Sequence, residues 1–500
     1  MSYSTTPIGR MLKSILCTSL VLFISMPAMA QEQQQESEMP NDQGITMFVK
    51  EQFEKDNSVK ENLIEVETKN GVVTLSGEVR SLLEKRRAAE IVENVKGVSS
   101  VVNDLVVKSS GMSDGAIKQE IVNTLKRDPA TTDFDVNVQV KDGFVVLTGM
   151  VESYAQKQLT EQVVMGVHGV REIDNQLTLQ YRTERTDKEI KQEVKQRLNW
   201  NAMTNGLDIK VDINDGKVTL SGTVRSIAEK KRAQELAWVN GVRSVKAENI
   251  DVNWDTETLW RDKSWRDLHG ETIRSDEKVR NAIERAMMYD PRVNRNNVRI
   301  MVDDGTVTLS GMVDDQMAKQ AASVDAHGTI GVWRVKNFVQ IKPEKEETPE
   351  DLTQEMREWI ENDPYLSNQE VSGVVRDDFT AVLNGNVDTP FEREQAEQLA
   401  WHVPGVVDVN NYITVGQEWI QMEDWEIEND IQSELYWSPY VDRADVDVEV
   451  TDGVAYLTGT VDSWNERESA RENAYEGGAK RVVNDLLVNY GPGELRPEQS

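Results

Sequence analysis

Four histidines (His168, His269, His327 and His402) and one cysteine, Cys17, are the side chains of this chain best suited to hold a soft metal or attack an electrophile. Their spacing suits neither task. No two histidines stand at a metal-pair interval, and no Cys-x-x-Cys occurs. The histidines read as surface residues. There is no Gly-x-Ser-x-Gly elbow and no glycine loop ending in Lys-Ser/Thr. Asp445, Asp447 and Glu449 are expected to alternate on one strand face and could hold a cation weakly. Alternation alone also turns such residues to solvent, and a solvated acidic face is the stronger reading. The sequence therefore predicts no catalytic residue, no metal site and no cofactor.

Binding chemistry has better candidates. Glu84-Lys85-Arg86-Arg87 and Glu229-Lys230-Lys231-Arg232 put two basic clusters at the same place in two related segments. Such residues could meet lipid phosphates, at about 1 kcal/mol per basic residue near a membrane surface. A solvated helix face with local ion pairs, worth a few tenths of a kcal/mol each, explains them more simply. Trp260 and Trp265 lie in an extra segment, Trp419 and Trp425 flank a later linker, and Tyr436, Trp437 and Tyr440 end a predicted helix. Tryptophan suits membrane interfaces and packing between domains, and its placement at junctions favours packing. The candidate surface contacts are Lys85, Arg86, Arg87, Lys230, Lys231, Arg232, Trp260 and Trp265.

The scaffold that must position these residues is a repeat. Val73-Thr74-Leu75-Ser76-Gly77 returns with small changes at Val145–Gly149, Val218–Gly222, Val307–Gly311, Ala381–Gly385 and Ala455–Gly459. Successive glycines are 72, 73, 89, 74 and 74 residues apart. That period exceeds the roughly 20–50 residues of solenoid repeats, so each unit should be a small domain with its own core. In the third unit Ile190, Val194 and Leu198 mark one helical face, and the alternating runs Ile209–Ile213 and Val218–Ser221 flank Asn214-Asp215-Gly216, a hairpin turn signal. Asn70-Gly71, Asp142-Gly143, Asp304-Gly305 and Asp452-Gly453 repeat the turn. The fifth unit has Asp378-Phe379 there, so its turn must be built differently. A second helix ends at a second recurring glycine, and a last strand follows. The repeat glycines Gly77, Gly149, Gly222, Gly311, Gly385 and Gly459, with Gly97, Gly169, Gly241, Gly331, Gly405 and Gly478, read as turn and cap residues. Acidic residues opening the first helices suit the helix dipole.

The predicted fold class is α/β, in the α+β two-layer sandwich sense: six tandem domains, each α-β-β-α-β, with two helices on one face of a three-stranded mixed sheet. The other sheet face should be polar and wet. Expected boundaries are a signal peptide at 1–30, a linker at 31–42, and domains at 43–108, 113–181, 186–254, 275–342, 348–416 and 425–490. A linker fills 255–274 and a tail 491–500. Arg10 and Lys13, the apolar run Ile15 to Ile24 and Ala28-Met29-Ala30 form an export signal cleaved after Ala30. Leu16 before Cys17 counts against a lipoprotein signal. No later stretch reaches the roughly 20 apolar residues of a spanning helix, and the mature chain would hold no cysteine. Its formal charge would fall from -31 to -33 with the loss of Arg10 and Lys13. Such a charge argues against nucleic acid. It is also uneven: the fifth and sixth units carry -11 and -10, the others between -4 and +2.

The ordered pair of phrases, Val-Thr-Leu-Ser-Gly-x-Val and then Gly-Val-x-x-Val-x-Asn (Gly97-Val98 with Val101 and Asn103; Gly169-Val170 with Ile173 and Asn175; Gly331-Val332 with Val335 and Asn337), resembles the BON-domain family. The third copy departs with Ala247 for the asparagine, and the sixth with Ala479 for the valine. The resemblance implies an exported or envelope location, no catalysis, and binding of phospholipid or envelope surfaces under osmotic or envelope stress. The expected function is that of a non-enzymatic periplasmic protein contacting a phospholipid membrane surface or envelope proteins. The alternative is a periplasmic holdase or scaffold for exported clients.

Overall fold

The computed structural model describes residues 40–488, except 57–58, 60–62, 110, 128–130, 132–133, 182–184, 254–274, 314, 343–347, 364, 367–368, 389, 404, 416–421 and 462. The expected export signal, His269, Trp260, Trp265, Trp419 and the 491–500 tail lie outside the described residues.

Six units follow one another, each built helix, strand, strand, helix, strand. The first helices are Asp42–Lys55, Asp114–Arg127, Asp187–Trp200, Asp276–Met288, Pro349–Asn362 and Asp424–Trp437. The second helices are Leu82–Glu93, Tyr154–Met165, Ile227–Ala237, Gln316–His327, Pro390–His402 and Trp464–Glu476. In the first unit Ile64–Lys69 pairs antiparallel with Val72–Val79, and Ser100–Val107 then lies parallel to Val72–Val79, which is central. All six sheets share this order. Ile45, Val49 and Phe53 from the first helix, Val73, Leu75 and Val79 from the central strand, and Ala88 and Val92 from the second helix close the first core. Their spacing is the helical and strand periodicity read from the sequence.

A hydrogen-bonded clamp fixes the hairpin in five units. The Asp42 carboxylate accepts from the Asn70 and Gly71 N–H groups at 2.8 and 2.9 Å. Asp114, Asp187, Asp276 and Asp424 hold their own turns the same way. These acids do more than meet the helix dipole: they satisfy two donors of a tight turn in which both residues have positive φ. The fifth unit opens its helix with Pro349 and has no such clamp. Its turn bends at Phe379, at φ 63°, and Asp378 accepts from the Thr380 N–H instead.

A second clamp ties the last strand to the second helix. Asn103 donates from Nδ2 to the Lys85 carbonyl, and its Oδ1 accepts from the Leu105 N–H. Asn175, Asn337, Asn411 and Asn484 repeat this. Where the third unit has Ala247, the strand register slips between Lys246 and Asn249.

One group of repeat glycines has a different role from the turn and cap expected. Gly77 and its five counterparts sit inside the central strand, at φ between 127° and 147°. At Gly222 an added Cβ would stand 2.0 Å from the Asp208 carbonyl oxygen. The glycine lets the first strand start close against the central one. Gly222→Ala should cost on the order of 3 kcal/mol, seen as faster amide hydrogen exchange across residues 209–224. Gly115→Ala, in a helix with open space around it, should stabilise by up to about 1 kcal/mol.

Candidate functional site: basic helix faces and domain junctions

The two basic clusters lie on the second helices of the first and third units, and each side chain has an intramolecular partner. Lys85 and Lys230 donate from Nζ to the Leu105 and Ile250 carbonyls at 2.6 and 2.7 Å. Lys157 and Arg467 make the same bond to Leu177 and Leu486. A cation at this helix position is thus a strand tether in four units. Arg86 pairs with Glu90 on its own helix and is exposed. Arg87 is half-buried and donates to Asp56 at 2.8 Å. Lys231 reaches Glu93 of the first unit, and Arg232 pairs with Glu235. The sequence offered both clusters as one kind of feature, and the structure divides them into tethers, local pairs and a bridge between domains.

Asp445, Asp447 and Glu449 do not share one strand. Asp447 and Glu449 are exposed on Val446–Thr451, while Asp445 belongs to the preceding 3-10 turn Arg443–Asp445. Among the described residues no group of three or more His, Cys, Asp or Glu is placed to hold a metal ion. His327, read from sequence as a surface residue, is half-buried. Its ring stacks on Trp464 at 4.0 Å, and burial lowers its pKa to about 4.

The units pack against one another, mostly through their helical sides. Tyr154 stacks on Trp238 between the second and third units at 4.1 Å, and the Tyr181 hydroxyl donates to the Val242 carbonyl. The third and fourth share backbone bonds, Ala202 N–H to the Gly328 carbonyl and Ile330 N–H to the Trp200 carbonyl, with Tyr289 donating to Glu193. Ile227 of the third unit is part of the first unit's core.

The first and sixth units also meet. Phe48 stacks on Trp437 at 4.9 Å, the Lys96 N–H donates to the Trp437 carbonyl, and the Tyr440 hydroxyl donates to Asn94. Trp425, in contrast, is exposed. Glu434, buried in this junction, accepts from Gln52 and Lys55 at 2.8 and 3.2 Å. Burial, with repulsion from Glu476, pushes its carboxyl up to about 7, and Lys55 offsets only part of this. Burial, with Glu476, Glu468 and Glu394 beside it, likewise pushes Glu472 up to about 7.

Repeated two-layer α-β-β-α-β domains joined through their helical sides define the class of this protein. The chain belongs to the BON domain family, whose model matches residues 41–109, 113–181, 186–253, 275–343, 349–417 and 423–490. It is similar to osmotically-inducible protein Y of Escherichia coli (strain K12), at 33% identity over 144 residues, which are 27% of this chain and 72% of that protein. A solved C-terminal domain of CdsD, a structural protein of the type III secretion system of Chlamydia trachomatis, aligns over 42% of this chain and 96% of its own at 19% identity. Its TM-score of 0.12 is too low to carry an argument. Among the described residues no helix is long and apolar enough to cross a membrane.

Two buried carboxyls of the sixth unit, Glu434 at its junction with the first and Glu472, should make stability respond to pH. Glu434 and Glu472 titrate at about 7 when folded, above their ordinary value of 4.5. Between those values the folded form holds more protons than the unfolded one. The stability they contribute is therefore full below about pH 4.5 and lost as pH rises through about 7. The melting temperature should fall from about pH 5 to about pH 8, and Glu434→Gln should shrink that fall.

Proposed function

We propose that this protein is a non-enzymatic envelope protein, exported to the periplasm by its leader, whose joined BON domains contact phospholipid or another envelope surface under osmotic or envelope stress. Membership of the BON family and the similarity to an osmotically-inducible protein support this reading. The observation that carries it is that the units meet mostly through their helical sides while strand residues such as Val106, Met150, Met301, Phe338, Val374 and Tyr412 stay exposed. Weak contacts held together in this way add through effective concentration. Within the basic clusters, Lys85, Lys230, Arg87 and the bridging Lys231 serve the fold, and Arg86 and Arg232, paired only on their own helices, are left as candidate lipid contacts. Trp260 and Trp265 stay candidates on the sequence alone.

The test is flotation of the chain from residue 31 onward with vesicles, phosphatidylcholine alone against phosphatidylcholine mixed with phosphatidylglycerol. We expect binding to the anionic vesicles that weakens with salt. Absence of flotation in every condition would overturn the lipid reading. Suppression of client aggregation without lipid would then favour the holdase.

A further inference from the structure

The outward sheet faces were expected to be polar, and in the fourth domain this one is not. Met301, Met312 and Phe338 are 56%, 52% and 64% exposed on it. Arg299, Arg334 and Lys336 are exposed on the same face. The strand register puts these side chains together. Met301 lies across from Thr308 and Thr308 across from Lys336; Arg299 from Ser310 and Ser310 from Phe338; Met312 from Gln340. The central strand contributes the small side chains Thr308 and Ser310, so the long residues of the two outer strands stand above it. With strands about 4.8 Å apart, the face is about 10 Å across. Asp303 is its one acidic side chain among the described residues. Arg299, Arg334 and Lys336 form no ion pair among the described residues, unlike every cation of the two basic helix clusters that is not tethered to a carbonyl.

The corresponding faces elsewhere differ in charge or in apolar content. The first domain's carries Glu65, Glu67, Glu78 and Asp104 against Lys69. The second has Asp135, Glu172 and Asp174 against Lys141, the fifth Glu370 and Asp408, and the sixth Asp447 and Glu449 against Arg481. The third has Lys210, Lys217 and Lys246 against Asp212 and Asp251, and none of the exposed large hydrophobic residues.

We infer that the outward sheet face of the fourth domain is where this protein seats on an anionic phospholipid surface, with Phe338, Met301 and Met312 entering the headgroup layer and the three cations meeting phosphates. This deepens the lipid reading proposed above and rests on it. Long apolar side chains among cations are the make-up of an interfacial contact. In a chain of net charge -31, attraction to an anionic surface has to be local. Screening allows this, since charges more than about 8 Å away contribute little at physiological salt.

The experiment uses the same flotation assay with substitutions at exposed positions. Phe338→Ser combined with Met301→Ser and Met312→Ser should weaken binding to phosphatidylglycerol-containing vesicles at least tenfold. Arg299→Gln with Arg334→Gln and Lys336→Gln should weaken it and flatten its salt dependence. Val102→Ser with Val106→Ser, on the first domain's outward face, should leave binding unchanged. Circular dichroism and melting of each variant separate loss of contact from loss of fold, and the charge variant removes no apolar contact. Wild-type protein that fails to float overturns the lipid reading and this inference together. Wild-type binding that survives both fourth-domain variants overturns the inference alone, and loss on Arg86→Gln with Arg232→Gln instead would place the contact on the helix faces.

Discussion

Two helices on one side of a three-stranded sheet cannot cover themselves. A unit of about 70 residues buries too little surface to be comfortable alone, and with no cysteine after Cys17 there is no disulfide to compensate. The domains answer by lending side chains to each other's cores. Ile227 of the third and Trp437 of the sixth complete the first. Leu82 serves the first and the second. Tyr289 of the fourth packs into the third, while Trp200 of the third packs into the fourth. Once helices face helices, several sheets are left to meet solvent or whatever binds there.

Much of each domain was legible in the sequence, because local chemistry sets it. The Ile190, Val194, Leu198 spacing, the Asp-Gly turns and the alternating strands each specify an element within about a dozen residues. Pairing between elements was less legible. The acid at the start of each first helix looked like a dipole partner, since nothing local says that Asp187 will bond N–H groups at Asp215 and Gly216, 28 and 29 residues on. Gly222 looked like a turn residue because its need for positive φ arises from a neighbouring strand's carbonyl. Phe379 was legible only as a departure, and its positive φ shows a bulky residue held there by the surrounding fold.

The surface was the least legible part. Consecutive Lys and Arg residues attract attention in a linear string, yet a helix points them in different directions, to a strand carbonyl, to a neighbouring carboxylate or across a junction. The basic and apolar face of the fourth domain is scattered over three strands, from Arg299 to Phe338, and no short window contains it. The signal that could have found it was available: writing each strand's outward positions side by side, in register, brings Arg299, Ser310 and Phe338 into one row.

The junctions have a further consequence for the copies themselves. Tyr154 on Trp238, His327 on Trp464 and Phe48 on Trp437 are pairings of different kinds, each made once. Repeats that share a fold have thereby ceased to be interchangeable. Each carries an address in its helix flanks, so the order of domains along the chain is itself encoded information, and a shuffled string of the same six parts would be a different molecule.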